Sequence, residues 1–188
     1  MISANGCRGW LGVALLAAMA AAGPAAAGEF QLAFRVGQNW IDVDADRLSS
    51  GNGVNEHQVN LGLTAAYRWQ QGAYVEAGLG GSGSLNFLSI QDVSHHWIGA
   101  GWQYELYGKA LLTPKVGLTY SELTSSEEDL FDSEPVDKFS DVVPFLEITL
   151  EKRLMRHFGL GVYFRHTFED WGSTRDFGLV LSYTFGGQ

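Results

Sequence analysis

The 188 residues suffice for one domain, and a formal net charge of −9 excludes a surface built for nucleic acid, because phosphate binding needs clustered basic side chains. Hydrophobic residues make up 46% of the chain while mean hydropathy is only −0.03, so apolar and polar residues are interleaved and not gathered in blocks. Gly at 24, Pro at 4 and abundant Trp, Tyr and Phe favour strands and turns over helices.

The first element in the chain is a targeting segment. Arg8 precedes an apolar stretch from Trp10 to Ala22, and Pro24 leads into the small residues Ala25-Ala26-Ala27. This order is that of a secretory signal peptide over 1–27, with cleavage after Ala27 and a mature domain over 28–188. Cys7 lies before the apolar core, so the mature chain has no cysteine and needs a source of stability other than disulfides. Without Arg8 it carries 11 basic and 21 acidic residues, a net charge of −10.

Beyond Ala27 the recurring period is two, the period of a strand with two unlike faces. The alternation predicts strands over Phe30–Ile41, Gln58–Trp69, Ala73–Gly81, Trp97–Tyr107, Ala110–Ser121, Asp141–Glu151, Phe158–Phe168 and Phe177–Phe185. Short connections at Gln70 to Gly72, Gly108-Lys109 and Lys152 to His157 alternate with longer ones at Asp42 to His57, Ser82 to His96, Glu122 to Ser140 and Glu169 to Asp176. That rhythm fits an all-β fold, an eight-stranded antiparallel up-and-down transmembrane barrel with tight periplasmic turns and extended outer loops.

The two faces decide which side is out. One carries bulky apolar residues such as Leu32, Phe34, Leu61, Leu63, Ile148 and Leu181, more than thirty in all over the eight segments. The other carries glycines together with Arg35, Arg68, Glu76, Glu105, Lys115, Glu147, Glu151 and Arg165. An eight-stranded barrel is too narrow to enclose the bulky set, and water would not tolerate it outside, so that face is expected to meet lipid. The eight charges are expected to form a paired network that fills the lumen; a small porin-like channel is the alternative. Aromatics near strand ends fit interfacial girdles: Tyr67, Trp69, Tyr104, Phe158, Tyr183 and Phe185 below, and Trp40, Tyr120, Phe168 and Trp171 above.

The last strand, Phe177-Gly178-Leu179-Val180-Leu181-Ser182-Tyr183-Thr184-Phe185, resembles the closing strand of OmpA-type transmembrane domains, and in length the chain is similar to short barrels of the OmpX kind. Phe177, Leu179, Leu181, Tyr183 and Phe185 resemble the signal read by the barrel-assembly machinery, although three residues follow Phe185. The resemblance implies an outer-membrane location and, as partners, outer-membrane lipid, lipopolysaccharide, the assembly machinery and periplasmic chaperones. A monomer without cofactor is expected.

Three candidate chemistries are weaker. His166, Glu169 and Ser173 gather near one outer strand end, as a lipid A-modifying enzyme would require, but no spacing secures a Ser–His–acid geometry, and no enzyme is expected. Asp42, Asp44 and Asp46 open like a calcium loop, yet Arg47 and Gly53 occupy positions where Gly and Glu are needed. His95 and His96 are adjacent, so on a strand they point apart. The third long loop, with Glu127, Glu128, Asp129, Asp132, Glu134 and Asp137 around Phe131, is the candidate for a host or surface ligand, or for lipopolysaccharide bridged by divalent cations. The role expected is membrane integrity or surface interaction.

Overall fold

The computed structural model describes residues 28–43, 54–83, 89–127, 135–169 and 172–186; the expected signal peptide lies outside the described residues. The strands are β1 (Gly28–Val43), β2 (Val54–Trp69), β3 (Ala73–Gly83), β4 (Ser89–Trp102), β5 (Tyr104–Leu106), β6 (Ala110–Glu127), β7 (Pro135–Arg153), β8 (Phe158–Thr167) and β9 (Gly172–Phe185). β4 and β5 both pair with β6 and form one stave interrupted at Gln103, so the described strands make eight staves, all antiparallel. Pairing of β1 with β9 closes the barrel.

Closure follows from the surroundings. In hydrocarbon an open edge would leave backbone donors and acceptors unpaired, at several kcal/mol each. The registers fix the geometry: from Gln31 the pairs run Ala66, Glu76, Gly99, Gly117, Phe145, Thr167 and Thr174, and the circuit returns to β1 at Ile41, ten residues along. Such a stagger tilts the strands and leaves an interior only wide enough for side chains.

The periplasmic turns are tight where glycine permits it. Gly72 takes φ +96° and donates its N–H to the Trp69 carbonyl at 2.9 Å. Gly108, at φ +76°, sits in a 3₁₀ turn, Tyr107–Lys109, between β5 and β6. The Gln103 interruption is tied to the first turn, its N–H donating to the Gly72 carbonyl at 2.8 Å.

The bulky face points outward: Leu32, Phe34, Leu61, Leu63, Ile148 and Leu181 are all exposed, as lipid contact requires. The staves extend further toward the outer side than the apolar alternation implies. β6 and β7 reach 18 and 19 residues, where about ten span a bilayer. The reason is an inversion of polarity. Above the apolar band the outward positions turn polar (Gln38, Asp42, His96, Ser140), while Ile41, Val93 and Leu123 turn inward and are buried. Outside the membrane water surrounds the barrel, so apolar side chains move to the inner face. A reading keyed to outward apolar residues therefore ends seven of the eight staves too early on the outer side, β8 being the exception, most clearly the fourth stave, which begins at Ser89 and not at Trp97.

Candidate functional site

The centre of the lumen is built from five staves, β1, β3, β6, β7 and β8. Arg35 of β1 donates to both oxygens of Glu147 of β7, Nη2 to Oε1 at 2.7 Å and Nη1 to Oε2 at 2.8 Å. Arg165 of β8 donates from Nε to Glu147 Oε2 at 2.7 Å, and Lys115 Nζ of β6 lies 2.5 Å from Glu147 Oε1 and 2.7 Å from Glu76 Oε2. Arg35 and Arg165 each stand 3.5 Å from Glu76 as well, so both carboxylates touch all three cations. All five side chains are buried. Charges removed from water this completely are tolerated only when each is paired and hydrogen-bonded, and here every one is.

Aromatic side chains complete this layer. Trp97 donates its indole N–H to Glu76 Oε1 at 2.9 Å. The Arg165 guanidinium lies 4.2 Å from the Trp97 ring centre and 4.3 Å from that of Phe145, and Arg35 lies 4.9 Å from that of Tyr163. These are cation–π distances. The inner glycines make the room: a Cβ on Gly78 would overlap the Trp97 ring, and one on Gly117 would meet Phe145 at 2.6 Å. The strand parity of Trp97, Phe145 and Tyr163 marks them as inward, and attention to the charged residues alone misses them. Asp176 is missed too, since the apolar run starts at Phe177. It is buried opposite Arg165 and accepts from Asn60 Nδ2 at 3.1 Å.

The remaining members of the eight-charge set lie elsewhere. Glu29 at the periplasmic rim accepts from Arg68 and, at 2.6 Å, from Arg153 Nη2. Arg68 also donates to Gln103 Oε1 at 2.7 Å. Glu151 accepts from Gln31 Nε2 at 3.3 Å, just inside that rim. Glu105 corrects the expectation of a luminal charge: it is exposed, because the break at Gln103 leaves only the short β5 beside the turn and that strand end no longer faces the packed interior. Between rim and cluster a cavity of about 20 Å³, lined by Gln31, Thr64, Tyr74, Thr113, Lys115 and Glu151, has room for a single water.

Toward the outer end Asn39 Nδ2 donates to Ser82 Oγ at 2.7 Å, and Ser82 Oγ donates to Gln58 Oε1 at 2.9 Å. Above that belt Ile41, Val93 and Leu123 pack together with Phe139 and form an apolar cap. From periplasm to exterior the described lumen thus runs ion pairs, paired charges with aromatics, amides and hydroxyls, then hydrocarbon.

The candidate hydrolase residues divide between faces. His166 points outward, edge-on to Phe168 with ring centres 4.4 Å apart. Glu169 is buried inside, accepting the Thr174 N–H at 2.9 Å, and burial pushes its carboxyl up to about 7. The acid therefore does not orient the imidazole, and Ser173 is half-buried beside Asp42 in the strand register. His95 is buried and His96 exposed, stacked on Tyr120, so the two imidazoles point apart. Among the described residues no group of three or more ligand side chains could hold a metal ion. Asp44, Asp46, Trp171 and the 128–134 part of the acidic connection, with Phe131, lie outside the described residues, whereas Glu127 ends β6 and Asp137 lies in β7 opposite Ser125.

The girdle rings meet in pairs. Tyr183 lies edge-on to Phe158 at 5.0 Å and to Phe185 at 4.6 Å, and Tyr67 to Trp69 at 4.9 Å. At the other end Trp40 meets His57 at 5.7 Å. Phe177, Leu179, Leu181 and Phe185 of the closing strand are exposed on the lipid face.

A family model described as the outer membrane protein beta-barrel domain matches residues 12–185. The chain belongs to this family. Outer membrane beta-barrel proteins reside in the outer membrane of Gram-negative bacteria, and the lipid-facing surface described above is the surface that location requires. A search of curated proteins returned no match. Among solved structures this beta-barrel protein is similar to Ail of Yersinia pestis, crystallised in complex with the heparin analogue sucrose octasulfate, at 15% identity and a TM-score of 0.61 over 84% of this chain and 99% of Ail. It is similar to Neisserial surface protein A at 8% identity and a TM-score of 0.56, over 85% of this chain and 97% of that one. OprG of Pseudomonas aeruginosa matches at 13% identity and a TM-score of 0.54, over 86% and 98%. These likenesses establish a shared small-barrel fold.

Proposed function

We propose that this barrel serves membrane integrity and surface contact through its outer loops, with a lumen that acts as a structural plug. The observation that carries the reading is the buried cluster of Arg35, Glu76, Lys115, Glu147 and Arg165, every charge of which is paired within the barrel wall. An ion crossing the lumen would have to displace several charge-assisted hydrogen bonds and then pass the apolar cap. Residues 1–27 are proposed to direct export, and the closing strand to engage the assembly machinery.

The surface chemistry points to cations. The connection over 128–134 contains Glu128, Asp129, Asp132 and Glu134 and no Lys or Arg. A polyanion of the kind held by Ail would be repelled unless divalent cations bridged it. Lipopolysaccharide phosphates joined through such cations, or a basic surface ligand, suit the acidic connection. A lipid A hydrolase is not proposed, since His166 and Glu169 lie on opposite faces.

Two measurements test the proposal. In planar bilayers the refolded barrel is expected to open rarely; frequent stable openings, reduced by Glu147→Ala or Arg165→Ala, would favour the channel. Deleting 128–134, which spares the Leu123 cap residue, is expected to lower magnesium-dependent binding to lipopolysaccharide or to cells. Unchanged binding would remove this connection from the function.

A further inference from the structure

We propose that the periplasmic rim around β6, β7 and β8 is a docking surface for anionic phospholipid of the leaflet that faces the periplasm. The acids of this chain crowd toward the outer end, but this part of the rim is basic. Outward positions along β7 run Leu146, Ile148 and Leu150, all exposed to lipid, and the next outward residue is Lys152. Its cross-strand neighbours are Ala110 of β6 and Leu160 of β8, so an ammonium group stands at the lower edge of an otherwise apolar band. Lys109, exposed at φ +65°, immediately precedes Ala110, and Arg156 is exposed in the next turn.

Beside these cations the turns present apolar tips. The N–H groups of Leu154 and Met155 both donate to the Phe158 carbonyl, at 2.9 and 3.2 Å, which closes the turn. Their side chains are left 58% and 70% exposed, and Tyr107 of the neighbouring turn is fully exposed. Carboxylates nearby are few: Glu29 is committed to Arg68 and Arg153, Glu151 is buried, and Glu105 on β5 is the exposed one.

Apolar tips beside cations, continuous with the lipid-facing band, suit the boundary between acyl chains and phosphates. Lysine lays its methylenes along apolar surface while the ammonium reaches the headgroups, and Leu154, Met155 and Tyr107 leave water. A cell-wall polymer would satisfy the cations but would leave the tips exposed. Lipid is therefore the occupant the geometry favours.

The test uses the refolded mature chain released from micelles containing equimolar phosphatidylglycerol and phosphatidylcholine, with retained lipid counted by native mass spectrometry. The unaltered chain is expected to retain phosphatidylglycerol preferentially. The double variant Lys109→Gln/Lys152→Gln should lose about fivefold in that preference per lysine, and Leu154→Ser/Met155→Ser should lower retention of both lipids. Arg175→Gln, at the outer end, should change nothing. Heat-modifiable migration on gels establishes that each variant is folded. Equal retention of the two lipids by the unaltered chain overturns the proposal whatever the variants do, as does a preference that survives the double lysine variant or vanishes with Arg175→Gln. Loss of co-sedimentation with purified peptidoglycan in the lysine variant, with lipid retention unchanged, would assign the rim to the cell wall instead.

Discussion

Arg35 and Glu147 face each other across the barrel, joined by two parallel hydrogen bonds of 2.7 and 2.8 Å that link β1 to β7. Glu147 is also the acceptor for Arg165 and Lys115, so its loss leaves three buried cations sharing Glu76. Breaking a buried ion network by removing one partner costs about 3–5 kcal/mol. Glu147→Ala is expected to lower unfolding stability by that amount in phospholipid vesicles, followed by tryptophan fluorescence in urea. Glu105→Gln, at an exposed position, should stay within about 0.5 kcal/mol of the unaltered barrel.

The Trp97 ring fits because Gly78 has no side chain. A Cβ at Gly78 would overlap the indole and come 2.8 Å from the Leu63 carbonyl oxygen, so Gly78→Ala must push Trp97 off its hydrogen bond to Glu76. Overpacking of this kind costs about 1–3 kcal/mol. The measurement is a double-mutant cycle with Trp97→Leu: in the background without the indole the alanine should cost markedly less. An equal cost in both backgrounds would mean that the strain lies in the backbone contact.

How far these features were legible depends on what the period of two reports. Within the membrane it reports polarity directly, since Leu32, Phe34 and Leu181 must meet lipid while Arg35, Lys115 and Arg165 must not, and parity alone sorts them. It fails where the solvent changes. Ile41, Val93 and Leu123 obey the same parity with the opposite chemistry, so the outer extensions read as loops. It also fails where the strand breaks: Glu105 has luminal parity but lies past Gln103. The pairing of three cations with Glu76 and Glu147 follows from register between strands distant in sequence, which no local pattern carries.

Glu169 gives the stability a pH dependence whose sign is fixed. Burial raises its carboxyl from an ordinary 4.5 to about 7, so the folded state holds a proton that the unfolded chain releases. Stability from this group is therefore highest below 4.5, falls as pH rises toward about 7, and is level above. The midpoint of the heat-induced gel shift should be lower at about pH 8 than at about pH 5, and Glu169→Gln should shrink that difference. If the two proteins show the same pH dependence, Glu169 is not the group responsible.

The cap closes the barrel with hydrocarbon just where water surrounds it, and Ile41 is its most enclosed member, with no exposed surface. Truncating a buried isoleucine removes transfer energy and leaves a cavity, together about 2–5 kcal/mol. Because Ile41, Val93, Leu123 and Phe139 come from four different staves, the loss should appear first as loosening of the outer hairpins, with the charge cluster below intact. Ile41→Ala is expected to increase protease cleavage near the outer strand ends and amide exchange at Val93 and Leu123, while exchange at Glu76 and Glu147 stays slow. Exchange rising equally in both layers would show that cap and cluster open as one unit, and that the cap has no separate stability of its own.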